Sequence, residues 1–334
     1  MRGKAGLFYF YIAPPPVPDI AVAHSTSPYV TTYHWSAGFG TKYSDPATLP
    51  TGTGNGVGFS PDGSDLAVAH STTPFVSAYP WSAGFGTKYS NPGTLPASTG
   101  QDVEFSASGA DVVVAHFTSP YVSAYPWSAG FGTKYSNPAT LPTGSGNGVG
   151  FSLDGSDVAI GHATSPFVSV YPWSSGFGTK YSNPASLPPD ICRDASFTTG
   201  DICLTYPTSP YVSAYPWSAG FGTKYSDPAT LPAGTGNGIS FSNNGSDVAV
   251  VHTNTPRITA YPWSAGFGTK YSNPASALAG TGQDVTFSSA DDTIFIAHST
   301  SPFVTAYPWS AGFGTKYSNP ATLPAGTGIG IATI

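Results

Sequence analysis

The chain has 334 residues and a formal charge of -6, with 40 glycines, 33 prolines and only 8% charged residues, against roughly 25% charged in ordinary soluble proteins. No Lys/Arg cluster offsets the negative balance, which argues against nucleic acid as a partner, because phosphate binding draws its affinity from grouped positive charge. Disorder is disfavoured too, since 14% aromatic and 40% hydrophobic residues supply apolar surface to bury.

Residues 1–18, MRGKAGLFYFYIAPPPVP, read as an N-terminal leader. A basic start and an apolar stretch from Ala5 to Ala13 resemble a weak secretory signal that lacks a small-x-small cleavage site. No apolar run approaches the ~18 residues that a membrane helix needs. From Asp19 onward the text repeats. The word YPWSAGFGTKYS, or a close variant, occurs seven times, with tryptophans at 35, 81, 127, 173, 217, 263 and 309, spaced by 46 residues except for one step of 44. Such a period, with strand-like text punctuated by Gly and Pro, marks one supersecondary unit stacked repeatedly, most often a propeller blade of four strands. Residues 19–334 are therefore expected to form a single domain.

One unit shows how a blade is written. Asn55 to Ser60 (NGVGFS) predicts an innermost strand, in which Gly56 and Gly58 allow close backbone approach near an axis. Every inner strand is expected to alternate glycine or another small residue in this way. Ser60-Pro-Asp-Gly63 supplies a tight turn. Asp65 to His70 (DLAVAH) has small Ala67 and Ala69 on one face and Leu66 and Val68 on the other, which suits a strand sandwiched between neighbouring blades. A third strand follows from Phe75 to Tyr79, and Pro80 must end it or force a bulge, because proline cannot donate to the ladder. Gly84 to Tyr89 predicts an outer fourth strand, whose Lys88 faces water at the edge.

A Phe-Ser-Pro-Asp-Gly turn, an Ala/Val second strand and a Trp closing the third resemble the WD40 and YVTN-type seven-bladed β-propellers, over residues 19 to 334. Ser rather than Asp follows each of the seven tryptophans. The near-identity of the copies also resembles bacteriophage-encoded propeller-repeat proteins. The resemblance implies an all-β fold of seven blades with four antiparallel strands each. Ring closure is expected in one blade built from both ends, Ile329 to Ile334 pairing with Asp19 to His24; the rival inner strand is Leu7 to Ala13.

Candidate chemistry centres on one face. His24, His70, His116, His162, His252 and His298 end the second strand in six blades, with Tyr206 in the seventh, and the loops carrying Asn55, Asn147 and Asn237 emerge nearby. These nine residues form the candidate ligand-binding set. No metal or cofactor is expected, because equivalent points on adjacent blades are ~10 Å apart while Zn–N bonds are ~2 Å and must converge. The histidines also suit a structural role, bonded to Ser/Thr hydroxyls. The lysines that follow each Trp read as solubilising edge charges, and Trp81, Phe85 and Tyr89 as either inter-blade packing or a shallow sugar shelf. Cys192 and Cys203 are expected as unpaired thiols.

No nucleophile elbow, zinc-protease helix or P-loop text occurs. The expectation is a non-enzymatic binding scaffold, at a virion surface or extracellular, whose partner is a protein or a cell-surface glycan. A lectin with blade-wise sites is the first alternative. The second is an enzyme with a central-channel site, which would require one blade carrying unique polar residues at the axis. The marked outlier in the repeat is Pro189 to Pro207, with Asp190, Arg193, Asp194 and Asp201.

Overall fold

The computed structural model describes residues 19–334, which form strands, turns and loops with no helix; the leader and the rival strand Leu7 to Ala13 lie outside the described residues. No helix among the described residues is long and apolar enough to cross a membrane. The strands fall into seven sheets, numbered here as blades 1 to 7 in the order of their tryptophans. Blade 2 consists of Gly54–Phe59, Asp65–His70 and Val76–Pro80, paired antiparallel in that order from the inside outward. Blades 3 to 7 repeat it.

Blade 1 combines both ends of the described chain. Gly328–Thr333 pairs antiparallel with Asp19–His24, setting Ile331 opposite Val22, and Val30–Trp35 and Phe39–Lys42 complete the sheet. The inner strand Gly328–Thr333 also packs against those of blades 7 and 2, as each inner strand packs against its two neighbours.

The middle strands explain why blades stack. Asp65–His70 is buried along its whole length. Leu66 and Val68 pack on Ala21 and Ala23 of blade 1, whereas Ala67 and Ala69 receive Val112 and Val114 of blade 3. Large side chains of one blade thus fill the space left by small ones of the next, as close packing demands. Each full burial of a Val or Leu side chain is worth about 1.5–3 kcal/mol. Trp81 closes the same interface, edge-to-face against Tyr43, Phe59 and Phe85, and is 5% exposed. Trp81 thus packs between blades, while Phe85 and Tyr89 remain half-buried at the rim.

The expected fourth strand is corrected by the structure. Blades 2 to 7 have three regular strands, and their outer segments are reduced to an isolated bridge such as Trp81 to Phe85. The cause is the proline before each of these tryptophans. Gly86 N donates to Pro80 O, so residue 80 faces the outer segment, yet proline has no N–H to return. Blade 1 carries His34 at that position, and there alone Phe39–Lys42 forms a fourth strand. Along this edge Lys88 Nζ is held by Asn91 Oδ1 and the Tyr89 carbonyl rather than extending freely into water.

Candidate functional site

The inner strands bring seven equivalent residues to each level of the central channel. At one level these are Gly56, Asp102, Gly148, Asp194, Gly238, Asp284 and Gly330, an alternation of glycine and aspartate around the axis. Packing at the axis is tight. A Cβ on Gly56 would fall 2.7 Å from the Cα of Asp102, one on Gly148 3.0 Å from that of Asp194, and one on Gly238 2.9 Å from that of Asp284. Each of these glycines thus sits tightly against the backbone of the blade that follows it. The expectation that all inner strands alternate small residues is corrected accordingly: Asp102, Glu104, Asp194 and Asp284 interrupt it.

Each aspartate bonds two backbone amides. Asp102 accepts from Val103 N at 2.8 Å and from Val149 N of blade 4 at 2.9 Å. Asp194 likewise accepts from Ala195 N and Ile239 N, and Asp284 from Val285 N and Ile331 N. Two residues deeper, Glu104 accepts from Phe151 N at 2.9 Å. These carboxyl groups fasten blade to blade at the channel wall.

Above them lies a ring of polar groups. Asn55, Asn147 and Asn237 each donate Nδ2 to a carbonyl of the following blade, at 2.7–2.9 Å. Gln101 and Gln283 alternate with them, Ile329 occupies blade 1, and Arg193 occupies blade 5, with Nη1 on Asn237 Oδ1 at 3.1 Å. The two levels line a cavity of about 430 Å³. Arg193 is the single guanidinium on a wall that carries Asp102, Asp194 and Asp284.

Enclosure by protein sets the acid strengths. Burial pushes the Asp284 carboxyl up to about 7, against the opposing effect of its amide donor Ile331. Asp194 is driven well above the usual carboxylate range, first by burial and then by the charges of Asp284 and Asp102. Glu104 is raised in the same way, by burial and then by Asp102, and burial also raises Asp102. One wall thus holds Asp284, raised to about 7, beside other carboxyls that burial shifts upward, a setting in which proton donors and acceptors share one site.

Of the candidate set, Asn55, Asn147 and Asn237 line the cavity. The histidines do not. His24, His70, His116, His162, His252 and His298 are all 0% exposed, and each bonds through Nε2 to a Ser or Thr of its own blade, as His70 does to Ser77 Oγ at 3.0 Å. Tyr206 bonds Ser213 instead, at 2.7 Å. Burial lowers each of the six imidazoles to about 4. Cys192 and Cys203 are unpaired and buried. The channel carboxylates were readable as the words QDVEF, RDASF and QDVTF, which stand where other copies have NGVGF or NGISF.

No protein-family model matches the chain, and no curated protein matches it in sequence. Solved structures do match. The periplasmic gluconolactonase of Pseudomonas aeruginosa superposes with a TM-score of 0.73 at 15% identity, covering 95% of this chain and 99% of that one. A candidate 6-phosphogluconolactonase from Bacteroides uniformis gives 0.71 at 13%, with 95% and 99% covered. The fold is similar to that of a seven-bladed β-propeller. Hydrazine synthase of Kuenenia stuttgartiensis also matches, with a TM-score of 0.66 at 14% identity over 84% of this chain and 89% of that one. The likeness carries the propeller architecture and not the WD40 or bacteriophage type. It also corrects the expectation of a non-enzymatic scaffold. Propellers that match 95% of the chain are named as lactonases, so a seven-fold frame is no argument for a passive disc. The asymmetry that an enzyme requires is present at the axis, where Arg193 and Asp194 come from the degenerate blade.

Proposed function

We propose that the chain is a hydrolase that opens the ring ester of an uncharged, polyhydroxylated lactone in the central channel. The observation that carries this reading is the asymmetric set of carboxyl groups and one guanidinium around a cavity of about 430 Å³. In the reaction, the Asp284 carboxylate takes a proton from water as the water oxygen attacks the lactone carbonyl carbon. The ring C–O bond then breaks, and the departing alkoxide oxygen takes a proton from the Asp194 carboxyl, leaving a hydroxy acid. Arg193 steadies the negative charge that develops on the substrate, and the Asn and Gln amides bond its hydroxyls. The names in the comparison point to a 6-phosphogluconolactone for the Bacteroides uniformis protein and a gluconolactone for the Pseudomonas aeruginosa one. A lining with Arg193 as its one cationic side chain favours the plain sugar, because a phosphate dianion would find a single guanidinium to pair with. The reading takes the ring as closed through blade 1.

Proton release from D-glucono-1,5-lactone, corrected for spontaneous hydrolysis and compared with its 6-phosphate, tests this. Turnover that drops about 10²–10⁴-fold in Asp284→Asn is the expected result. No enzymatic rate on either lactone would overturn the reading.

A further inference from the structure

Seven is an odd number, so the alternation of glycine and aspartate cannot close on itself. It fails at one seam, where Gly330 of blade 1 meets Gly56 of blade 2. The seven equivalent amides behind this level belong to Val57, Val103, Val149, Ala195, Ile239, Val285 and Ile331. Six of them are taken by the three aspartates. The seventh is Val57. The residue placed to cap it is Gly330, whose absent Cβ would stand 3.3 Å from Val57 N.

Resting on the proposed hydrolysis, we infer that the Val57 N–H is the donor that receives the lactone carbonyl oxygen as it becomes an oxyanion. Its register matches that of Val149, Ile239 and Ile331, whose N–H groups point at channel carboxylates, so it faces the channel too. Its surroundings suit the task. Ile329, the single apolar residue at the mouth level, belongs to the same inner strand as Gly330 and lines the cavity. The carboxylates that flank the seam are Asp284, bonded to Ile331 N beside Gly330, and Asp102, whose Oδ1 lies 2.6 Å from where a Cβ on Gly56 would stand. The blades on either side of Gly330 and Gly56 thus each carry a carboxyl group at the level of this amide donor. In a seven-fold ring the point opposite the seam between blades 1 and 2 is blade 5, which carries Arg193. A substrate whose carbonyl sits at Val57 therefore extends its hydroxyl-bearing end toward Arg193.

Gly330→Asp supplies the missing cap, and Gly330→Ala controls for the Cβ alone, which in either variant meets Asn55 O and Gly56 Cα at 3.0 Å. With D-glucono-1,5-lactone, Gly330→Asp is expected to lose about 10²–10³-fold in kcat, the effect of removing one oxyanion donor, while Gly330→Ala stays within about tenfold. If the parent hydrolyses the lactone and Gly330→Asp does so equally well, the inference falls and the proposed function stands. If the parent hydrolyses neither the lactone nor its phosphate, both fall. Should Gly330→Asp fail to fold, the Val57 amide in the parent decides. Its ¹H–¹⁵N resonance is expected to move downfield on titration with D-glucono-1,5-lactam, a stable analogue with the same carbonyl. Saturating lactam that leaves the Val57 resonance unmoved would overturn the assignment.

Discussion

Trp127 donates its indole N–H to Asp65 Oδ2 of the preceding blade at 2.8 Å, while Tyr89 donates to the other oxygen of the same carboxylate at 2.7 Å. The same triad joins the successive blades from Asp19 and Trp81 to Asp247 and Trp309. At the remaining junction Thr293 replaces the aspartate, and Trp35 packs edge-to-face on Phe295 instead. A buried carboxylate with charge-assisted donors from two blades is stronger than either bond alone, because each donor offsets part of its desolvation.

Asp65→Ala is therefore expected to lower stability by about 2–4 kcal/mol, since it strands a buried indole N–H and a tyrosine hydroxyl together. Asp65→Asn, which keeps one acceptor oxygen, is expected to cost less. Urea denaturation of both measures this. An alanine variant as stable as the parent would show that the triad adds nothing beyond ring packing.

The period of 46 and the large and small faces of strands such as Asp65–His70 were legible, because they repeat and obey the two-residue alternation of a strand. The triad was not, since Asp65 and Trp127 lie 62 residues apart; reading single blades relates Asp65 only to His70, ~16 Å along the same strand. The channel site was obscured for the opposite reason. Asp102 and Asp284 depart from the repeat, and a reading anchored on the glycine copies passes over them, whereas Asp194 stood out only as part of the degenerate stretch Pro189 to Pro207. The outer strand misled because Gly84–Tyr89 has strand-like composition, whereas one missing N–H at Pro80 decides its pairing.

That last point is testable in blade 1. His34→Pro should convert its outer segment to the form seen in the other blades, so the amides from Phe39 to Lys42 should exchange faster while those of Asp19–His24 stay protected. Unchanged protection at Phe39–Lys42 would mean that the His34 amide is not what holds the fourth strand.

Closure of the ring through Gly328–Thr333 is tested by deleting residues 329–334. Ile331 packs with Ile20, Val22 and Trp35, and the deletion uncovers that cluster and the inner face of blade 2 together. A sharp fall in Tm is expected. A truncated chain that melts like the parent would locate closure elsewhere.

Hydrolysis at the channel should carry the signature of Asp284. Its carboxyl, held at about 7 by burial, must be ionised to accept a proton, so kcat/KM should rise with pH through an apparent pKa near 7. Asp284→Asn should abolish that limb rather than merely scale the profile down. An acid limb unchanged in this variant would assign the base to another group.

The histidines govern acid stability. Burial holds all six folded-state imidazoles at about 4, whereas unfolded histidine titrates near ~6.5. The neutral form is favoured by folding, so this contribution is complete above about 6.5 and is lost as pH falls toward 4, at about 1.4 kcal/mol per pH unit for each proton taken up on unfolding. The channel carboxyls act in the opposite sense. Their raised folded pKa values mean that the native state takes up protons first, which favours it as pH falls through about 7 for Asp284. Stability should therefore rise as pH falls from 8 to 6.5, where the raised carboxyls act alone, and decline below, where the six imidazoles outnumber the four raised carboxyls. Urea denaturation at several pH values measures the slope, and imidazole NMR resolves its source. Resonances of the six buried rings that titrate near 6.5 in the folded protein would remove the histidines from this account. Their burial and occupied Nε2 atoms also predict no rise in Tm with micromolar zinc, since a bound metal would have to stabilise the native state by mass action.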